Sequence, residues 1–226
     1  MADPSIRSGN TSDGTNVFTK PTGLADGDIL YIFYHYFAAD LDKPTAPSGF
    51  TELFNFNHGS GADNEGLACF RKVITSAAGE AASYTVARPS GGVFYDGGRI
   101  YAIQDADTSG TPEDDSGTNN GTSTTPSTGA NITTTVNGAL LLVSSITFAQ
   151  NCSDPSGMTQ RYEIDGGDVE GWSEAITGAT LSAATRSSTI GASVRWIFGF
   201  VAVKAVAAGG GAVIPVFMNQ YRQRVR

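Results

Sequence analysis

The stretch that decides the fold is Gly27–Phe56, which reads GDILYIFYHYFAADLDKPTAPSGFTELFNF. A second stretch, Gly138–Glu163, follows the same plan with the sequence GALLLVSSITFAQNCSDPSGMTQRYE. Both contain a glycine, an apolar strand, a polar loop, a Pro-Ser-Gly turn and a second strand, and the turns are Pro47–Thr51 and Pro155–Thr159. This duplication predicts two related halves built on one plan.

The strand predicted over Asp28–Phe37 carries apolar side chains at both of its alternating sets of positions. A strand in a sheet with one solvated face alternates between apolar and polar residues, whereas a strand covered on both faces does not. We therefore expect other parts of the chain to cover both faces of this strand.

Further strand-like segments follow at a spacing of roughly 8 to 15 residues, which is typical of sandwiches and jelly rolls. In the first half we predict strands over Thr15–Lys20, Asp28–Phe37, Phe50–Asn57, Gly66–Thr75, Ala82–Arg88 and Arg99–Gln104, with a loop at His58–Glu65. In the second half we predict them over Asn131–Val136, Ala139–Phe148, Met158–Glu163, Val169–Ile176, Thr180–Thr185 and Ala192–Lys204. No segment of helical length shows a helical period, so helix should be minor.

Two shorter echoes extend the repeat, Val73–Thr75 with Ala175–Thr177 and Arg99–Tyr101 with Arg195–Ile197. Because half a sandwich cannot bury two apolar faces alone, we expect the halves to pack on each other. The predicted fold class is all-β, a jelly-roll-like β-sandwich built from two sequence-related halves, with an extended C-terminal tail. The predicted segments are an N-terminal arm (1–14), a first β half (15–104), a polar acidic connector (105–129), a second β half (130–208), and a Gly linker with an anchoring tail (209–226).

The formal charge of the chain is −8 at pH 7, from 14 basic and 22 acidic residues. Three of the basic residues are arginines that follow Lys204, so the body is more acidic than the total indicates. Proteins that bind nucleic acid array Lys and Arg on a surface, which argues against nucleic acid as the main partner. The N-terminal sequence lacks the apolar core of a signal peptide, and no apolar run approaches the roughly 18 residues of a membrane span. We expect neither classical secretion nor contact with a membrane.

Residues suited to nucleophilic chemistry are few. The only histidines are His35, inside the apolar strand, and His58, and we expect His35 to be a packed or edge residue rather than a catalytic base. The segment Gly171–Ala175 approaches a nucleophile elbow but lacks its final glycine and a following helix. Cys69 and Cys152 occupy non-equivalent points of the two repeats, so we expect reduced thiols rather than a disulfide.

Carboxylates form two clusters in the sequence. The first could serve a glycosidase, although acidic residues around a Gly-Gly turn are usual in solvated loops. The second could hold calcium, although its spacing fits no EF-hand loop and an acidic connector explains it equally. The clusters are Glu163, Asp165, Asp168, Glu170 and Glu174, and Asp105, Asp107, Glu113, Asp114 and Asp115. We predict no catalytic, cofactor or metal site.

A set of aromatic residues offers either a platform on which a sugar could stack or a part of the core or of a protomer interface. The set consists of Tyr31, Tyr34, Tyr36, Tyr95, Tyr101 and Trp172. The sequence leaves both interpretations open.

The C-terminal segment AVIPVFMNQYRQRVR concentrates apolar residues after a Gly-rich run. Exposed on a monomer, such a segment is an aggregation hazard, so we expect it to dock on a neighbour or, alternatively, on its own sheet. Pro215 favours an extended segment that adds to a sheet edge or fills a groove, and the arginines would pair with acidic surface. The predicted partner-binding residues are Val213, Ile214, Val216, Phe217, Met218, Tyr221, Arg222, Arg224 and Arg226.

The segments GDIL, PTAPSGFT, LACFRKVIT, AASYTV, TTTVNGAL and PSGMT together resemble β-sandwich proteins of tailed-bacteriophage structural gene clusters, over most of Thr15–Lys204. The ending IPVFMNQYRQR is also similar to the C-termini of phage virion proteins. The resemblance implies a non-enzymatic virion component without a cofactor, which assembles symmetrically in the host cytoplasm.

The expected function is that of a non-enzymatic virion structural protein, first of all a capsid decoration or cement protein. Its tail would bind other virion proteins, such as major capsid or tail proteins, and copies of itself. The alternative is a receptor- or glycan-binding module of a phage tail or head fibre, which would contact a host surface glycan. A polysaccharide depolymerase is a third hypothesis, and it depends on the carboxylates of Glu163–Glu174.

Overall fold

The computed structural model describes residues 2–39, 42–60, 63–90, 92–129, 131–148, 150–177 and 179–206. These residues form twelve β-strands and two 3₁₀ helices of three residues each, Ala77–Gly79 and Asp165–Gly167. The strands are β1 (Ser5–Asp13), β2 (Val17–Thr19), β3 (Ile29–Ala38), β4 (Thr51–Ser60), β5 (Asp63–Val73), β6 (Ser83–Thr85), β7 (Val93–Gln104), β8 (Glu113–Ser123), β9 (Leu140–Thr147), β10 (Thr159–Ile164), β11 (Val169–Ala175) and β12 (Val194–Val203).

Two five-stranded antiparallel sheets, one from each half, form the body of the protein. The first sheet has the order β1-β7-β3-β5-β4, and the second has the order β8-β12-β9-β11-β10. Strands at the same place in the two sheets also occur in the same order along the chain. The predicted all-β sandwich of two sequence-related halves is therefore confirmed, whereas the predicted tail lies outside the described residues.

The repeat extends to single backbone hydrogen bonds. Gly27 and Gly138 both have a positive φ, 87° and 85°. Gly27 donates its N–H to the carbonyl of Ile74, the residue directly after β5, at 2.8 Å. Gly138 donates its N–H to the carbonyl of Ile176, the residue directly after β11, at 3.0 Å. The two glycines therefore start β3 and β9 with the same turn.

The two Pro-Ser-Gly turns also share one geometry. In both, the residue after the glycine donates its N–H to the proline carbonyl at 3.0 Å. The glycines, Gly49 and Gly157, have φ of 81° and 82°, a region in which side chains with a Cβ are strained. A register shift also occurs at the equivalent place just after each turn, in β4 and in β10. The turn and bulge together set the direction of the edge strand in both sheets.

The two sheets pack on each other through one shared apolar layer. The first sheet contributes Ile29, Tyr31, Phe33, Leu67, Cys69, Tyr101 and Ile103. The second contributes Leu140, Leu142, Ile146, Tyr162, Ile164, Val169, Ile197, Val201 and Val203. Because the residues of both sheets form this layer, each half buries its inner face only against the other.

The outer faces of both sheets are covered by segments of the same chain. On the first sheet, β2 and β6 form a small separate sheet that supplies Phe18 and Tyr84. On the second sheet, irregular segments before β9 and β12 supply Ile132 and Ile190. Nine of the ten residues of β3 are buried, which confirms that both of its faces are covered. The protein therefore has four layers, two sheets with a cover outside each of them.

The strands β3 and β9 run in the same direction, so equivalent ends of the two sheets lie at the same end of the sandwich. At one end the chain leaves β12 and reaches Val206, and Lys204 donates its N–H to the Pro112 carbonyl at 2.8 Å. At the other end the rings of Phe37 and Phe148 meet at a centroid distance of 6.5 Å. We call these the exit end and the aromatic end.

Two segments that were expected to lack strands each contain one. The arm predicted at 1–14 includes β1, which pairs with β7. The polar acidic connector predicted at 105–129 includes β8, which pairs with β12 along its length. Both are edge strands of mainly polar residues, so they lack the apolar alternation from which a strand is usually predicted.

Three other predicted elements differ in the structure. Within the loop expected at His58–Glu65, residues 58–60 belong to β4 and pair with residues 63–65 of β5. The segments Asn131–Val136 and Thr180–Thr185 form no strands, although an isolated bridge joins Ile132 to Ala184 and the Thr134 N–H donates to the Leu181 carbonyl at 3.0 Å. Their apolar residues cover the second sheet rather than extend it.

One of the two short echoes is confirmed and the other is wrong. Val73–Thr75 matches Ala175–Thr177, because Val73 and Ala175 pair with the first residue of the central strand in their sheets. The match between Arg99 and Arg195 fails, since the pairing with the central strand makes Gly199 the equivalent of Arg99. The likeness of these two triplets is out of register with the fold.

We predict that Gly49→Ala and Gly157→Ala each lower the free energy of unfolding by about 1–2 kcal/mol, because alanine is strained at positive φ. A Cβ at these positions would meet only ordinary contacts, 3.5 Å from Lys72 and 3.6 Å from Glu174. Urea unfolding measures the change. The control is Gly110→Ala, whose Cβ meets nothing within 4 Å and which should change stability by less than about 0.5 kcal/mol. Equal stability of the three variants would contradict the role of the turns.

Candidate functional site

The aromatic residues predicted as a sugar platform are mostly core residues. Five of the six are at most 1% exposed: Tyr31, Tyr34, Tyr36, Tyr101 and Trp172. Tyr95 alone among the six is partly exposed, and its hydroxyl donates to Asp13 at 2.8 Å. The interpretation as core is therefore confirmed for five of these residues, and Trp172 cannot present its ring to a ligand.

Buried carboxylates accept hydrogen bonds from two of these tyrosines. The Tyr31 hydroxyl donates to Glu113 at 2.6 Å, and Arg71 donates to the other oxygen of Glu113 at 2.8 Å. On the opposite face of β3, Tyr34 donates to Asp96 at 2.7 Å, and an arginine donates to both oxygens of Asp96. These arrangements neutralise the carboxylates, so they stabilise the fold rather than offer reactive groups.

The acidic run considered for calcium is divided by β8. Glu113 faces the layer between the sheets, whereas Asp114 and Asp115 accept hydrogen bonds from the segment that covers the second sheet. Asp107 accepts a hydrogen bond from the Ser109 hydroxyl at 2.6 Å. Among the residues that the structure describes, no three His, Cys, Asp or Glu side chains are grouped to hold a metal ion.

The second acidic cluster contains one buried carboxylate. Glu170 is 1% exposed, and burial raises its pKa to about 7. It pairs across the strands with the exposed Glu163, but its oxygens accept hydrogen bonds from the Cys152 N–H at 2.8 Å and from Gln160 at 3.4 Å. Glu174 instead forms an ion pair at 2.5 Å. A glycosidase requires two carboxylates that a sugar can reach, and Glu170 is closed to solvent.

A buried histidine and serine meet between the sheets, which the sequence reading missed. His35 Nε2 lies 2.7 Å from the Ser144 Oγ, and Ser144 also hydrogen-bonds the Tyr162 hydroxyl. His35 and Ser144 are 0% exposed, and burial lowers the pKa of His35 to about 3. A substrate cannot reach this pair, so we assign it to packing, as expected for His35. Ser144 occupies the position in the second repeat that Phe33 occupies in the first. This polar residue within an apolar strand is the sequence signal that could have indicated the pair.

The predicted partner-binding residues Val213 to Arg226 lie outside the described residues. The last described residue, Val206, is exposed at the exit end. Both cysteines, Cys69 and Cys152, are buried and free.

A surface cleft lies beside the first Pro-Ser-Gly turn, with a volume of about 460 Å³. The cleft is lined by Pro47 and Ser48 of the turn, by Lys72 of β5 and by residues between Gly79 and Thr85. We call it the hinge cleft. The turn, a sheet strand and the cover meet here, so the cleft depends on three segments that are distant in the sequence.

An ion pair fixes the charged residues of the hinge cleft. Lys72 Nζ lies 2.6 Å from Glu80 Oε2, and the Tyr84 hydroxyl donates to the same oxygen at 3.0 Å. The ammonium also lies over the rings of Phe50 and Tyr84, at 5.9 and 5.7 Å from their centroids. Burial and the bond to Glu80 raise the pKa of Tyr84, so its hydroxyl stays protonated and donates. The charged groups are therefore held in place before any ligand arrives.

The second repeat has the opposite charges at the equivalent place. Glu174 occupies the β11 position that corresponds to Lys72, because both pair with the second residue of the central strand. Its partner is Arg186, at 2.5 Å, so the acidic residue is now on the sheet and the basic one on the cover. The two Pro-Ser-Gly turns share a backbone geometry, but the charged residues beside them differ.

The aromatic end exposes apolar residues that the sequence reading did not single out. Phe94 is 70% exposed and Phe148 is 43% exposed. Arg195 lies over the Phe148 ring at 5.3 Å and forms an ion pair with the buried Glu65 at 3.2 Å. Phe94 occupies a register irregularity at the start of β7, where alternation gives no guide to which side chains are exposed.

Comparison with protein-family models, with curated proteins and with solved structures finds no match to this chain. Within the described ranges, none of the helices has the length and apolar character needed to cross a bilayer. The functional argument therefore depends on the geometry of the molecule itself.

We predict that His35→Gln makes the free energy of unfolding less dependent on pH between about 4 and 6.5. The unfolded histidine binds a proton below its ordinary pKa of about 6.5, whereas the buried histidine does not. As the pH decreases below 6.5, this residue therefore lowers the free energy of unfolding of the wild-type protein by about 1.4 kcal/mol per pH unit. Glu170 acts in the opposite direction as pH falls below 7, but it is present in both proteins and cancels in the difference. Urea unfolding at several pH values measures the slopes, and parallel curves would show that His35 is not buried as a neutral group.

Proposed function

We propose that this chain is a non-enzymatic structural protein of a virus particle, a decoration or cement protein held by its C-terminal segment. The observation that carries the proposal is the position of Val206, an exposed apolar residue at the exit end. From this point the sequence continues with an apolar and basic segment that ends at Arg226. The sandwich is then a rigid body, and the segment that follows it is the attachment.

The layered fold supports this division of roles. Both sheets are covered on their outer faces by segments of the same chain, so a partner cannot pack directly on either sheet. The edge strands β1 and β8 consist mainly of polar residues, which discourages the addition of a further strand there. Interfaces require an apolar centre, and the sequence concentrates apolar residues between Val213 and Tyr221.

The charges of the exit end favour contacts between copies. Asp107 is partly exposed at this end, where its N–H donates to the Lys204 carbonyl at 3.0 Å. In an acidic body, such groups complement Arg222, Arg224 and Arg226 of a neighbouring copy. Repetition of a modest contact over a symmetric shell gives high overall avidity.

We predict that the full-length chain sediments with particles that lack it, to a saturable occupancy, and that a truncation ending at Gly209 does not. The removed residues hold the apolar groups of the attachment, and the core that ends at Ala205 stays intact, so thermal unfolding of the two forms should agree. A variant with Arg222, Arg224 and Arg226 changed to Gln keeps the apolar groups and should bind about tenfold more weakly at low salt. Equal sedimentation of the full-length and truncated forms would remove the segment from the mechanism.

A glycan-binding module of a fibre is a second candidate, and the hinge cleft is the observation that favours it. Five of the six aromatic residues that first suggested this function are buried, so they do not support it. The cleft instead combines a concave surface with hydroxyl, carboxylate and ammonium groups.

A further inference from the structure

The hinge cleft has the size and rigidity of a small-molecule site. Its volume of about 460 Å³ lies within the range of roughly 300–1,000 Å³ that is usual for ligand pockets. One wall is the Pro-Ser-Gly turn, which is fixed by its backbone hydrogen bond and by the positive φ of Gly49. Little ordering is therefore needed when a ligand binds.

The charge of the cleft favours a neutral ligand. The ammonium of Lys72 and the carboxylate of Glu80 cancel at 2.6 Å, so neither an anion nor a cation meets an unbalanced charge. An apolar ligand would in turn cover polar groups without replacing their hydrogen bonds to water.

Several polar atoms of the cleft remain available for hydrogen bonds. Lys72 uses one of its three donors, and Glu80 Oε1 accepts no hydrogen bond from the described residues. The hydroxyls of Ser48, Ser83 and Thr85 line the cleft and form no side-chain hydrogen bond within the described part of the chain. Hydrogen-bond donors and acceptors thus both line one concave surface, which suits the hydroxyl groups of a ligand.

We propose that the hinge cleft binds one or two residues of a neutral saccharide, with Lys72 and Glu80 hydrogen-bonding adjacent sugar hydroxyls. The inference goes beyond the attachment proposed above and does not depend on it, because the cleft belongs to the sandwich and not to the C-terminal segment. Since the surface is shallow and one saccharide unit is small, the affinity is low, with a Kd of about 1–10 mM.

The test is a titration of the full-length protein with glucose, galactose and N-acetylglucosamine, followed by NMR of the backbone amides. We expect saturable shifts that concentrate in Gly79–Thr85 and around Ser48. Glucuronate and inorganic phosphate serve as charged probes, and both should bind more weakly than the neutral sugars. Absence of saturable shifts with all three neutral sugars, or stronger binding of either anion, would overturn the proposal.

Two variants and one control identify the residues. Glu80→Gln should weaken binding of the neutral sugar about fivefold to tenfold, because a charge-assisted hydrogen bond is lost, and should strengthen binding of glucuronate, because Lys72 is no longer neutralised. Ser48→Ala removes an exposed hydroxyl without disturbing the fold and should weaken binding by about twofold to fivefold. Glu174→Gln breaks the equivalent ion pair of the second repeat and should leave sugar binding unchanged. Loss of binding in the control, or unchanged binding in both variants, would place the sugar elsewhere.

Discussion

The central strands β3 and β9 are apolar on both faces, and the rest of the structure depends on this constraint. Their inner faces are buried only if the two sheets pack on each other, and their outer faces only if other segments cover them. Each large apolar side chain left in water would cost about 1.5–3 kcal/mol, so an uncovered sheet is not a stable alternative. The small β2–β6 sheet and the irregular segments on the second sheet are therefore integral parts of the fold.

Polar contacts cross the apolar layer at three places and fix how one sheet lies on the other. Tyr31 bonds Glu113 near the exit end, His35 bonds Ser144 in the middle, and Arg195 pairs with Glu65 near the aromatic end. An apolar layer alone tolerates small displacements of one sheet on the other, because its contacts are not directional. Each buried polar group loses its hydrogen bond in a displaced arrangement, so these contacts select one register at a cost in desolvation.

The sequence allowed the repeat, the central strands and the burial of both faces of β3 to be predicted, because each follows from a local pattern. It could not indicate β1 and β8, whose polar residues pair only through the backbone. Nor could it separate buried from exposed aromatic residues, since Tyr34 and Tyr95 both belong to strands with several aromatic residues and differ in what packs on them. The hinge cleft was missed for a related reason, because Pro47, Lys72 and Tyr84 come together only when the cover is in place.

The covers, rather than the sheets, give the two repeats different chemistry. The two Pro-Ser-Gly turns have the same hydrogen bond, the same positive φ at Gly49 and Gly157, and the same position beside a sheet strand. Lys72 meets Glu80 from a short 3₁₀ turn of the first cover, whereas Glu174 meets Arg186 from the long irregular cover of the second sheet. Each sheet must keep its apolar residues, because its inner face packs on the other sheet and its outer face packs on a cover. The covers carry no such double constraint, so a site of distinct character can form at one hinge while the duplicated framework stays the same.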